Sequence, residues 1–237
     1  MQDMPFRQIH LDFHTSPDIP RIGYAFDAEQ FAATLVAARV NSINLFAKCH
    51  HGWFYYPTSI GQMHPNLSFD LLGDQIESCK KSGIRTNIYY TVGFSERDAD
   101  EHPEWLLKDR DGNSTMGMIM GAVQARSNPL INKQAAQQYF GSVAYWRYLC
   151  VNHTEYVEQI KRELTEIVER FHPAGLWLDI LQQQVCVCEQ CAGEMRTLHL
   201  DPQSDRDIVI HGRMVEIRFF QEMQNFLHQI ALQLSNL

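Results

Sequence analysis

Four short apolar segments, separated by amphipathic stretches, constrain this chain more than any other feature. They are IHLDFH (residues 9–14), SINLFAK (42–48), TNIYYT (86–91) and LWLDI (176–180), each of a length and composition that reads as a strand. Between the first two lies FDAEQFAATLVAARV, where Asp27 is placed to cap a helix and Gln30 completes the capping-box spacing, with Phe31, Leu35 and Ala38 on one helical face. Between the second and third lies SFDLLGDQIESCKKSG, with Leu72, Ile76 and Cys79 on one face and Gly83 as the C-terminal stop. HTEYVEQIKRELTEIVERF (153–171) is an amphipathic helix leading into the fourth strand, and residues 207–234 are another helix. Strands alternating with helices argue for βαβ units and a parallel sheet.

This α/β pattern predicts a (β/α)8 TIM-barrel type of fold. A complete barrel takes roughly 250 residues and eight strands. Four strands in 237 residues predict that the chain covers about four βα units, the N-terminal half, as a single catalytic barrel domain over 1–237 that is incomplete at its C-terminus. The third connection, residues 91–175, is much the longest and holds HPEW (102–105) and the Gly/Met-rich TMGMIMGAV (115–123). Long excursions at the carboxyl ends of strands are where such barrels build their sites. An unclosed half barrel leaves sheet edges that invite homo-oligomers.

A hydrophobic share of 45% against 20% charged residues is the balance of a soluble globular chain. Its formal charge of -8 argues against nucleic acid or an anionic membrane as partner. No apolar run approaches the roughly 20 residues of a membrane span, and the N-terminus lacks the pattern of a signal peptide. Six cysteines are too few to scaffold a chain of this length with disulfides. Their clustering points to metal and to a reducing, cytoplasmic setting; no organic cofactor is expected.

Alternation along strands selects the candidate site. On the first segment His10, Asp12 and His14 share one face and Ile9, Leu11 and Phe13 the other. The apolar set suits packing under helices, so the polar set is expected to face the barrel axis. On the second, Asn44, Phe46 and Lys48 fall together and are followed by His50 and His51; on the fourth, Trp177 pairs with Asp179. At the carboxyl ends of parallel strands these groups converge on one mouth.

Seven residues after Asp179 comes Cys186-x-Cys188-x2-Cys191. Structural zinc takes four ligands. Cys150, just before the long helix, is the expected fourth, with His153 in reserve. A metal there would pin the loop that follows Asp179.

FAKCHHGWFYYPT (46–58) and GLWLDI (175–180) resemble the strand-two and strand-four segments of family 29 α-L-fucosidases. HLDFHTSP (10–17), FAKCHHG, HPEW and the cysteine cluster together look most like the hypothetical glycosyl hydrolase 6 domain and the related family 151 α-L-fucosidases, over roughly residues 8–195. The cysteine pattern is also similar to the zinc cluster of family 42 β-galactosidases. The resemblance implies a retaining glycosidase acting on a glycoside or oligosaccharide, with Asp179 as nucleophile. It further implies that His14, His50 and His51 bind sugar hydroxyls, with Trp177 and Tyr90 as an apolar wall. No acid/base carboxylate is assigned by it; Glu104 is the local candidate, and the expectation is that the acid/base residue lies outside this chain. His10-x-Asp12-x-His14 also leaves open a metal-dependent hydrolase resembling amidohydrolase barrels. A β-galactosidase-like enzyme and a non-catalytic carbohydrate-binding half-barrel are the further alternatives.

Overall fold

The elements run, in chain order, β1 (Gln8–His10), α1 (Ala28–Ala37), β2 (Ser42–Lys48), α2 (Leu71–Lys81), β3 (Arg85–Thr91), α3 (Glu96–Glu101), β4 (Met116–Met118), β5 (Tyr145–Arg147), α4 (Thr154–Phe171), β6 (Leu176–Asp179), α5 (Glu189–Thr197) and α6 (Asp205–Leu234). They come from a computed structural model that describes residues 6–114, 116–118, 145–181 and 185–234. The expected Gly/Met-rich excursion therefore lies largely outside the described residues. The chain divides into two compact units, one built on residues up to Thr91 with Ile160–Asp179, the other on Val92–Gln159 with Ile180–Leu232.

The first unit holds a four-stranded sheet of order β1-β2-β3-β6, with every pairing parallel. This is the parallel sheet of a partial barrel. The expected Asp27 cap forms, accepting from the Gln30 N–H at 2.7 Å, and Gly83 takes φ +67° after α2; Asp70, which was not expected, caps α2 by accepting from the Gly73 N–H at 2.8 Å. The buried face of α1 is Ala32 and Leu35, and Ala38 is exposed, so the inward stripe is rotated from the one expected.

In-register pairing stacks the sheet's interior face in layers. His10, Asn44 and Asn87 lie side by side, then Phe46, Tyr89 and Trp177, then Thr91 and Asp179 at the carboxyl end. Asn44 accepts from Gln8 and Asn87, and its amide contacts His10 Nδ1 at 3.1 Å. Beside Asn87 on the fourth strand only glycine fits, since a Cβ on Gly175 would stand 2.9 Å from the Asn87 Oδ1.

Two expectations about strand faces are corrected. β1 stops at His10, so alternation does not carry to Asp12 and His14. Beyond it the backbone leaves the ladder: Thr15 N–H donates to the Tyr55 hydroxyl and Phe13 stacks on Phe46 at 4.8 Å. Phe13 thus joins a core of Phe46, Cys49, Tyr55, Leu67, Leu71 and Tyr89 instead of lying under helices. Second, the β2–β3 register shifts between Phe46 and Lys48, Phe46 pairing with Tyr89 and Lys48 with Tyr90. One extra residue in a strand reverses the facing of every later side chain, so Lys48 lies opposite to Phe46.

The second unit holds the antiparallel pair β4–β5 and the helices α3, α5 and α6. A small core of Leu107, Cys150, Cys186, Cys188 and Cys191 lies within it. On α6, Ile208, His211, Val215, Phe219 and Met223 are buried at three- and four-residue spacing, the stripe a helix presents inward.

Candidate active site and thiolate centre

The aromatic layer forms the floor of the candidate active site. Phe46 and Tyr89 stack at 3.8 Å and 13°, and His10 lies 5.5, 5.6 and 5.4 Å from the Phe46, Tyr89 and Trp177 rings. Trp177 keeps 49% of its surface exposed, enough to offer an apolar face to a ligand. Asp179 stands at the carboxyl end of β6 with its side chain 36% exposed. The Tyr89 hydroxyl donates to its Oδ2 at 2.7 Å.

His14 and His50 sit beside this carboxylate as a stacked pair, 3.9 Å apart and 13° from parallel. The His50 N–H donates to His14 Nδ1 at 3.1 Å, which puts the neutral ring's proton on Nε2, where Asp12 Oδ1 receives it at 2.9 Å. Burial pushes the His14 imidazole down, against the opposing pull of Asp12 and Asp179. His50 Nδ1 meets the Thr91 hydroxyl at 2.8 Å, and its Nε2 is 3.9 Å from Asp179 Oδ2. Burial first, then the His14 and His51 rings, push His50 down to about 2. His51 is half-buried in the turn closed by the Gly52 N–H on the Cys49 carbonyl. Burial and the Asp179 carboxylate push the Tyr89 phenol up, so it remains a donor.

His10, Asp12, His14, His50, Trp177 and Asp179 thus come together around Tyr89. Lys48 and Tyr90 do not join them. Lys48 Nζ pairs with Glu163 Oε2 at 2.9 Å, both side chains almost wholly buried, and the Tyr90 hydroxyl donates to the same Glu163 oxygen. The bulge accounts for both: it aims Lys48 at α4 along with Tyr90, whose odd-even position already faces that way. Tyr89 was not among the sequence candidates; it shares a face with Asn87 and Thr91, and its pairing with Phe46 and Trp177 fixes that face as the one toward the site.

Glu104 lies in a 3-10 turn, Pro103–Trp105, of the second unit, exposed and bonded to His102 at 3.1 Å. Its own backbone N–H and His102 hold its carboxyl below the usual value, the reverse of what a general acid needs. His10 Nδ1 is engaged by Asn44 and His14 Nε2 by Asp12, so the first-segment H-x-D-x-H does not converge as a metal site. Among the described residues the grouping able to hold a metal is the four cysteines.

Those four thiols, Cys150, Cys186, Cys188 and Cys191, are buried, outside any disulfide, and within 4.8 Å of one another. Cys150 Sγ is 3.5 Å from Cys191 Sγ and 4.0 Å from Cys188 Sγ. Tetrahedral coordination with Zn–S bonds of about 2.3 Å needs sulfur separations of roughly 3.8 Å, so the donor set fits a metal of that kind. Sulfur-directed donors surround it: the Lys108 and Cys188 N–H groups point at Cys186 Sγ and the Asn152 amide at Cys191 Sγ. Asn152 is itself held by Glu194 and Arg218, and Glu194 also receives His211. Arg218, with His211 and Asn152, holds the Glu194 carboxyl at about 2.

The chain matches the family described as hypothetical glycosyl hydrolase 6 over residues 27–180. No curated protein sequence matches it. Among solved structures it is similar to alpha-L-fucosidase isoenzyme 2 from Paenibacillus thiaminolyticus, at 34% identity and a TM-score of 0.79, over 94% of this chain and 30% of that one. Weaker similarities are to the Thermotoga maritima alpha-fucosidase in complex with fucose (19% identity, TM-score 0.41, 65% of this chain, 29% of that one) and to an alpha-L-fucosidase GH29 from Bacteroides thetaiotaomicron (15% identity, TM-score 0.43, 73% and 32%). The chain spans about a third of the length of these structures. The family match takes in His50, Tyr89, Trp177 and Asp179, whereas His10, Asp12 and His14 precede it.

Proposed function

This chain belongs to the hypothetical glycosyl hydrolase 6 family, and from that premise we propose that it is the site-bearing part of a retaining α-L-fucosidase-like glycoside hydrolase. The observation that carries the reading is Asp179, half-open at a strand end and held by the Tyr89 hydroxyl at 2.7 Å beside the stacked imidazoles. In this mechanism Asp179 attacks the anomeric carbon while a second carboxyl, roughly 5–5.5 Å away, protonates the leaving oxygen and later activates water. Tyr89 fixes the attacking carboxylate without removing its charge. His50, neutral and within 3.9 Å of Asp179, is suited to exchange hydrogen bonds with a sugar hydroxyl. His14 is oriented by Asp12, His10 and His51 complete the polar wall, and Trp177 supplies an apolar face for the ring.

The proton donor is proposed to lie outside this chain, the chain being the first four βα units of a single catalytic barrel domain. The four cysteines would hold a structural zinc, which would cross-link the chain without entering the reaction. Six cysteines outside any disulfide support a cytoplasmic location. The sheet edges β1 and β6 support association into a homo-oligomer, which light scattering of the purified protein would test.

The test is turnover of an aryl α-L-fucoside by the longest open reading frame that contains this chain and by its Asp179→Gly variant, with and without azide. An active wild type, a dead variant and recovery by azide establish Asp179 as the nucleophile. Turnover of an aryl β-D-galactoside in place of the fucoside would move the enzyme to the other sugar. Fucose binding with no turnover of either would reduce it to a binding module.

A further inference from the structure

Buried thiolates need a route by which the ion reaches them. Beside the cluster the second unit contains a cavity of about 670 Å³, lined by Asn152, His153, Glu189, Glu194, Arg218 and Glu222 among others. Two of these residues touch both the cavity and the sulfurs. Asn152 donates to Cys191 Sγ at 3.5 Å, but it has no role as a ligand there, being fixed by Glu194 and Arg218. His153 is different: its Nε2 lies 3.8 Å from Cys188 Sγ, and the ring is half-buried between cavity and cluster. Four thiols already complete a tetrahedral set, so the imidazole is a fifth donor with no place in the finished site.

We propose that His153 is the loading ligand of the thiolate centre, and that the cavity is the channel through which a divalent zinc ion comes and goes. The inference rests on the zinc reading above and extends it to kinetics. Three carboxylates against one guanidinium give the cavity a negative field that concentrates a dication. The ligands then grade from carboxylate oxygen through imidazole nitrogen to thiolate sulfur, from hard to soft, in the order an incoming ion meets them. Cys188 and its neighbours displace the imidazole as the set closes, and the thiol protons leave to solvent.

The experiment is stopped-flow transfer of zinc between the purified protein and a chromophoric chelator, in both directions, for wild type, His153→Asn and Glu189→Gln/Glu222→Gln. The expected result is one zinc per chain in all three. In His153→Asn, uptake and release both slow by at least about tenfold at unchanged affinity. The double Gln variant slows uptake and loses its salt dependence. Unchanged rates in His153→Asn would overturn the proposal, as would weakened zinc affinity, which would make His153 a permanent partner. A wild type that carries no zinc would instead remove the metal reading and the loading role with it.

Discussion

His50 shows how a single side chain is set by its surroundings. Its ring is stacked on His14 and bonded to Thr91, and burial with two imidazole neighbours pushes it down to about 2. Unfolded, the same ring titrates near 6.5. Between those values the unfolded chain binds the extra proton, so His50 contributes stability that is complete above pH 6.5 and lost as the pH falls. His14, also pushed down, acts in the same direction. Urea unfolding at pH 7.5, 6.5 and 5.5 is expected to show wild-type stability falling more steeply than that of His50→Gln, by up to about 1.4 kcal/mol per pH unit. Equal slopes would mean that the ring is not buried neutral. At this scale Asp179 was legible in the sequence as an acid at a strand end and His50 as a histidine just past one, whereas His14 was selected by an alternation that stops at His10. Tyr89 was obscured by Tyr90 beside it, because choosing between adjacent tyrosines needs the register of the neighbouring strand.

The elements were more legible than the contacts between them. Capping residues, the apolar stripe and a stop glycine are local signals, and α1, α2 and α4 formed where those signals lie. The bulge in β2 escaped, having no local marker in SINLFAK. It sends Lys48 to Glu163 on α4 and makes a buried ion pair from a residue expected to face substrate. Lys48→Met leaves Glu163 charged and buried, and is expected to cost about 3–5 kcal/mol of unfolding free energy. Adding Glu163→Leu is expected to recover most of that loss, since the apolar pair removes both desolvation costs. A double variant as unstable as the single one would show that the ion pair is not the source of the effect.

At the scale of the whole molecule, the polar strand ends and the thiolate centre fall in separate compact units. Removing metal with a chelator is therefore expected to act on one of them. Hydrogen exchange should rise in residues 149–153 and 186–197, around the cysteines, while β2 and β3 keep their protection. Equal loss of protection across the sheet would mean that the two units unfold as one. The family match extends over more than half of the chain, and the chain spans about a third of the length of its solved relatives.

The sequence by itself determined the βα alternation, the parallel sheet, the acid at the end of the fourth strand and the grouping of three cysteines. Each is written in spacing over fewer than about twenty residues, where periodicity and ligand count are decided by local geometry. The tertiary structure decided between Cys150 and His153 for the fourth place, bringing the Cys150 thiol to the other three from 36 residues before the first of them. It alone turned Lys48 away from Phe46, ended β1 at His10, and set Tyr89 on Asp179 across 90 residues of chain. Such contacts depend on register and on which backbone groups the neighbouring strand has already taken. A one-residue slip exchanges every face, and nothing in the local sequence records it.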